Sequence, residues 1–216
     1  MKFEIEGAGT VALSSPRVVL VGYSGRNADE VRAHIAELAE HGVPAPAEIP
    51  ALWEVPTDLL SQEPKIEAPR SGTSGEAEPV LLFRSGEVFV TVGSDHTDRQ
   101  LERTSMDLAK CAFPKVVGKR CWPLASVRAI WDRLVLRSDV ESNGAWRRYQ
   151  EASLEQLLEP EWFADRFGGV GDTVVFCGTV SALNGVDTAA EGFRASLYNP
   201  INRQQLSCLY RIGTRQ

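Results

Sequence analysis

Three carboxylates in one short stretch are the residues of this chain whose types and spacing point most directly to chemistry. In S-G-E-A-E-P-V-L-L-F-R-S-G-E-V-F-V-T-V-G-S-D-H-T-D-R, residues 74 to 99, Glu76 and Glu78 stand two apart where a strand-like run begins. Asp95 follows in a turn where the return strand ends. Side chains alternate faces along a strand, so the two glutamates share one face. Ser85-Gly86 between the runs is a hairpin signal, and such a hairpin brings Asp95 back beside them. Three converging carboxylates repel one another unless a cation sits among them, and an all-oxygen cluster suits Mg²⁺, Mn²⁺ or Ca²⁺. Alone, an E-x-E pair is an ordinary solvated strand edge and G-S-D-H-T an ordinary turn feeding a helix. Strand alternation points His96 away from Asp95.

Other groups have chemistry of a second kind. His34 and Glu37 lie three apart on a predicted helix, where their side chains can meet. A carboxylate beside a histidine fixes its tautomer and raises its basicity, as a general base requires; the same spacing also describes a plain surface pair. Lys110, Lys115 and Lys119 fall in a Gly/Pro-broken segment, K-C-A-F-P-K-V-V-G-K. Gly178-Thr179, after an apolar run, offers a backbone N–H and a hydroxyl to an anion. Zinc fits poorly: the chain has three histidines, and Cys111, Cys121, Cys177 and Cys208 show no C-x-x-C pairing.

The elements that must position these groups are mostly strands. Residues 2 to 22 read as strands, with V-V-L-V-G at 18 to 22 buried on both faces. A helix follows, with Asn27 as N-cap, Glu30 three residues on and Gly42 near its stop; Val31, Ile35 and Leu38 form its apolar stripe. Residues 43 to 72 are rich in Pro and Ala and read as an irregular connection, with a short strand at Leu52 to Val55. After the central hairpin, Thr97 is the expected cap of a helix reaching about Lys110. Ser126 to Trp131 reads as a short helix, Asn143-Gly144 as a hairpin turn, and Leu154 to Phe167 as helical around a break at Pro160. The end is β-rich. Strand pairs outnumber helices and do not alternate with them, which argues for an α+β fold on a mixed β-sandwich or β-roll with a few peripheral helices.

The 216 residues suffice for a substantial core, as one domain spanning 1–216. Within it, 1–72 is expected to supply N-terminal strands and a lid-like helix, and 73–216 a metal-binding β-rich body. A net charge of -6 argues against a general nucleic-acid surface. No apolar run reaches about 18 residues, so no membrane span is expected. M-K-F-E-I-E-G reads as a strand and not a signal peptide, and with unpaired cysteines this gives a cytoplasmic expectation with reduced thiols.

In sequence order these stretches form a pattern. H-I-A-E at 34–37 is followed by V-P-A-P, then E-A-E at 76–78, G-S-D-H-T-D-R at 93–99, A-K-C-A-F-P at 109–114 and G-D-T-V-V-F-C-G-T at 171–179. The chain resembles the fumarylacetoacetate hydrolase-like superfamily, and more closely an uncharacterised bacterial family within it. The resemblance covers nearly the whole chain, and the shared order of short motifs carries it. It implies the superfamily's β-sandwich or β-roll fold and a divalent metal, Mg²⁺ or else Mn²⁺ or Ca²⁺, bound by Glu76, Glu78 and Asp95. It implies His34 and Glu37 as a water-activating dyad on a lid and Lys110 as the group that steadies a developing enolate. Thr179 would hold a substrate carboxylate, and Lys115 competes with Lys110 for the lysine position. The implied activity is hydrolysis of a C–C bond in a small, acylpyruvate-like keto acid by a homodimer. A decarboxylase, isomerase or hydratase on the same scaffold, or a metal-stabilised binding protein, are the rival readings. The chain departs from the superfamily pattern in four places. The link from E-A-E to G-S-D is shorter, Ser94 replaces an asparagine, His34 lies further from G-R-N, and Val180 stands where proline is usual.

Overall fold

The computed structural model describes residues 1–69 and 71–214. Its largest sheet is mixed, and its strands run in the order Thr10–Ala12, Lys2–Ile5, Arg120–Pro123, Glu87–Asp95, Ala77–Arg84, Thr173–Phe176, Arg17–Gly22 and Ala51–Val55. Lys115–Val117 also pairs with the end of Glu87–Asp95, and Leu60–Ser61 pairs with Lys115–Val117. A second sheet runs Ala145–Ser153, Val135–Ser142, Gly192–Tyr198, Gln205–Thr214 and Lys65–Ala68. The molecule is sheet-dominated with few helices, as the count of strand signals predicts. Asn143 and Gly144, both at positive φ, make the expected hairpin turn of the second sheet.

The central hairpin, Ala77–Arg84 with Glu87–Asp95, is apolar on both faces for two different reasons. Ala77, Leu81, Phe83, Val90 and Val92 join Leu136, Phe193, Leu197 and Tyr210 in a core shared with the second sheet. Val80, Leu82 and Phe89 face the other way, into a cluster with Phe3, Val11, Val18, Leu20, Val55 and Phe176. Those partners come from both ends of the large sheet, so that sheet bends until its own edge strands cover its face. This curvature explains why the strands lack a polar face and read as near-continuous apolar runs.

Residues 43 to 72 are more regular than their Pro/Ala content suggests. They contribute Ala51–Val55 to one sheet and Lys65–Ala68 to the other, where it lies parallel to Gln205–Thr214. Likewise Arg17–Gly22 lies between Thr173–Phe176 and Ala51–Val55, so early and late parts of the chain interleave in one sheet.

The helix expected from Thr97 does not form as one piece. Thr97 and Asp98 pair instead with Thr73 and Ser74. The Asp98 carboxylate accepts from the N–H groups of Gln100 and Leu101, at 2.9 and 3.0 Å, and starts a short turn at Leu101–Arg103. The helix proper is Met106–Cys111, capped by Ser105. Backbone pairing satisfies Thr97, so the start signal moves to residues whose side chains reach free N–H groups. Pro160 opens the helix Pro160–Phe167, consistent with a break there.

Candidate metal centre

The two-residue turn sets the site's geometry. Ser85 and Gly86 have φ of 52° and 83°, the left-handed values of the tight turn that joins twisted strands. Arg84 then pairs with Glu87 and Glu78 with Gly93, and the Asp95 N–H donates to the Glu76 carbonyl at 3.0 Å. Because the pairing is direct, Asp95 arrives opposite Glu76 on the face that already carries Glu78. The short link from E-A-E to G-S-D is this hairpin. Gly93 leaves space beside Glu78: a Cβ there would lie 2.8 Å from the Val116 carbonyl and 2.9 Å from the Phe176 ring. One carboxylate oxygen from each of Glu76, Glu78 and Asp95 falls within 4.8 Å of the others.

Positive groups surround two of the three. The Lys110 ammonium lies between Glu76 and Asp95, at 3.1 and 2.6 Å. Arg99 donates to Glu76 at 2.8 Å while also holding Glu102 and the Ser74 hydroxyl. Lys115 donates to Asp95 at 2.7 Å and to the His96 carbonyl at 2.8 Å. Glu78 differs, since its hydrogen bond is with the Gly178 N–H. Gly178 has φ of +93°, and a Cβ there would overlap the Ser24 hydroxyl, so glycine is what lets that N–H approach.

The electrostatics follow from these contacts. Burial opposes ionisation of both Glu76 and Asp95. Arg99 and Lys110 outweigh it at Glu76, Lys110 and Lys115 at Asp95, and both stay below the usual carboxylate range. Glu78 is pushed well above that range by burial and by the charges of Asp95 and Glu76. Burial opposes the Lys110 charge too, yet Asp95 and Glu76 hold its ammonium above the ordinary lysine value. At Lys115 burial wins over Asp95 and lowers the value. The donor set is all oxygen, a lysine ammonium already stands as a cation between two of the carboxylates, and the third, Glu78, pairs with no cation among the described residues. These residues fit a hard divalent ion.

A cleft of about 480 Å³ opens above this floor. Lys110, Thr179 and the helix Ala28–Glu40 line it, whereas Lys115 is fully buried behind Asp95. Lys115 therefore faces Asp95 and not the cleft, and Lys110 is the lysine open to a ligand. The Thr179 hydroxyl donates to the Ala77 carbonyl and accepts from Gln150, each at 2.8 Å, so it would have to release Ala77 to donate to a carboxylate. The helix is capped as expected, the Asn27 side chain accepting from Asp29 and Glu30. Only Val31 on it is buried, so it rests on the rim. His34 Nδ1 lies 3.6 Å from Glu37, with the two side chains 58 % and 68 % exposed. His96 points away from Asp95, between the Tyr210 and Thr73 hydroxyls at 2.9 and 3.1 Å.

Three groups at the site escape sequence reasoning. Arg99 sits within G-S-D-H-T-D-R, but nothing local shows that it reaches back to Glu76. Glu102 and the Tyr23–Trp53 pair come from segments with no chemical signature.

No functionally curated protein matches this sequence. Three solved structures illustrate what the fold resembles. The 5-carboxymethyl-2-hydroxymuconate delta-isomerase from Mycobacterium smegmatis superposes with a TM-score of 0.62 at 18% identity, covering 94% of this chain and 80% of its own. A 2-keto-3-deoxy-D-arabinonate dehydratase, complexed with magnesium and 2,5-dioxopentanoate, gives 0.63 at 12% identity over 94% and 74%. Maleylpyruvate hydrolase from Sphingobium sp. SYK-6 gives 0.55 at 14% over 93% and 72%. Residues 21–210 match the family described as protein of unknown function DUF2848, so the chain belongs to that family, with the fold of fumarylacetoacetate hydrolase-like enzymes.

Proposed function

We propose that this protein is a divalent-metal-dependent hydrolase that cuts a C–C bond beside the carbonyl of a small keto acid. The observation that carries the reading is the meeting of Glu76, Glu78 and Asp95 on the floor of a cleft whose rim holds His34 and Glu37. Glu76, Glu78 and Asp95 would hold the ion. When bound, Mg²⁺, Mn²⁺ or Ca²⁺ would supply Lewis acidity toward a chelating keto-carboxylate. Lys110 presents a positive charge at the floor, where bond cleavage leaves an enolate, and stabilises charge as it develops. His34, oriented by Glu37, takes the proton of the attacking water. Because both side chains are largely exposed, this step needs the helix Ala28–Glu40 to cover the substrate.

That exposure also supports a second reading, in which the floor forms the enolate without hydrolysis, as a decarboxylase, isomerase or hydratase would. The named neighbours include a hydrolase, an isomerase and a dehydratase, so the fold accommodates each.

The test uses the Mn²⁺-loaded protein with a panel of acylpyruvates and oxaloacetate, following loss of the enol absorbance and identifying products. Hydrolysis to two acids is expected. His34→Ala should abolish it while leaving Mn²⁺ affinity unchanged. Full activity in that variant removes His34 from the mechanism, and conversion without hydrolysis, whether to an isomer, a hydration product or pyruvate with loss of CO2, selects the second reading. No turnover across the panel would leave a binding protein.

A further inference from the structure

Beyond the keto-acid end, the cleft makes a second chemical choice. We infer that its substrate carries a single carboxylate and that the far end is an uncharged, apolar acyl or aryl group. This rests on the keto-acid reading above and adds the class of the tail.

The first support is a charge inventory. Among the described residues lining the cleft, the carboxylates are Glu30, Glu37, Glu76, Glu78, Asp95 and Glu102, while the fixed cations are Arg99 and Lys110. Both cations stand at the floor, where the keto-acid end would bind, and not along the rest of the cleft. Arg99 divides its donors among Ser74, Glu76 and Glu102, and Lys110 divides its three among Glu76, Asp95 and Thr97. A second carboxylate on the substrate would meet Glu30 and Glu37 on the rim, and among the described residues lining the cleft no Lys or Arg beyond the two at the floor would answer it. Like charges brought together across an interface select against such a ligand.

The second support is the wall itself. Tyr23, Val31, Leu38, Val43, Trp53 and Met106 line the same cleft as the floor carboxylates and supply its large apolar and aromatic side chains. Tyr23 and Trp53 have ring centroids 6.3 Å apart and planes inclined by 54°, which leaves two offset faces for a flat or branched tail. The Trp53 ring lies so close over Gly22 that any Cβ there would run into it. Tyr23 itself holds φ at +55°, an uncommon conformation for a bulky residue, and its hydroxyl has no hydrogen-bond partner among the described residues. Such strain persists where the surroundings over-determine it, and it concentrates at ligand clamps. Tyr23 lines the same cleft as Glu76, Glu102 and Lys110, which places this wall beside the floor.

The test compares two α-keto acids with no bond this chemistry cleaves: 2-oxo-4-phenylbutanoate, with an aryl tail, and 2-oxoglutarate, with a carboxylate tail. Binding of each to the Mn²⁺-loaded full chain is measured by calorimetry. The aryl probe should bind about tenfold more tightly or better, as differences in apolar pocket filling commonly allow. Trp53→Ala should shrink that preference with Mn²⁺ affinity unchanged. Should Trp53→Ala fail to fold, Met106→Lys serves instead, since a cation on the wall should tighten 2-oxoglutarate binding relative to the aryl probe. Equal or tighter binding of 2-oxoglutarate to the unmodified chain overturns the inference and leaves the keto-acid reading standing. Mn²⁺ binding with no binding of either probe overturns both.

Discussion

Replacing Glu78 by glutamine should change stability and metal affinity in opposite directions. Without an ion, Glu78 faces Glu76 and Asp95 with carboxylate oxygens no more than 4.8 Å apart, and a backbone N–H is its own donor. At an effective dielectric of 20, an ionised Glu78 would meet about 3.5 kcal/mol from each neighbour at that distance, so burial and these charges push its carboxyl well above the usual range and holding it there costs free energy at neutral pH. Lys110, Arg99 and Lys115 already neutralise much of the charge on the two neighbours, which cancels most of that cost. Glutamine keeps an oxygen for the Gly178 N–H, so a gain of about 1–3 kcal/mol remains. For a chain of this length that is a rise in melting temperature of about 2–12 °C for the EDTA-treated protein. Mn²⁺ affinity should fall at least about tenfold, a loss of about 1.4 kcal/mol or more, because one of three anionic ligands becomes neutral. Thermal unfolding with and without Mn²⁺, together with calorimetric titration, reads both effects. A lower melting temperature for the metal-free variant would show that Glu78 has a favourable partner. Unchanged Mn²⁺ affinity would show that it is not a ligand, and either result refutes the reasoning.

Lys115→Met should destabilise the protein by about 3 kcal/mol or more, because it strips a buried partner from Asp95 while Lys110 remains; a denaturant midpoint within error of the parent would contradict this. Gly178→Ala forces a Cβ onto the Ser24 hydroxyl at a left-handed φ, so a loss of about 3 kcal/mol or more and a weakened Mn²⁺ response are expected from the same measurements. His96 gives a pH dependence. Burial, then the Lys115 charge, lowers its value to about 3, so the folded state keeps it neutral while the unfolded chain takes up a proton below about 6.5. Its contribution to stability is present above pH 6.5 and is lost as pH falls toward 3, at up to about 1.4 kcal/mol per pH unit. His96→Gln should flatten that slope in pH-dependent unfolding, and an unchanged slope would remove His96 as its source.

The floor of the site was legible because its information is local. Glu76 and Glu78 share a face by strand alternation, and the Ser85-Gly86 turn fixes the register that sets Asp95 opposite Glu76. The helix carrying His34 and Glu37 was legible for the same reason, since the cap Asn27, the apolar stripe and the stop at Gly42 all lie in it or directly at its ends. Thr97 was misleading because its segment finds a strand partner at Thr73–Ser74, a pairing that no local start signal reports.

Tertiary structure alone decided the rest, because it concerns groups distant in sequence. In sequence, Lys110 and Lys115 are equivalent residues of one Gly/Pro-broken segment. The fold sends one ammonium into the cleft and buries the other behind Asp95. Arg99 becomes a partner of Glu76 only when the Thr97–Asp98 pairing turns it back across the hairpin. The Gly178 N–H meets Glu78 across 100 residues of chain, and Trp53 closes over Gly22 from a neighbouring strand. Alternation and turn type determine which side chains share a face. Which cations stand beside Glu76 and Asp95, and which apolar side chains share their cleft, depends on how a curved sheet brings separate strands together.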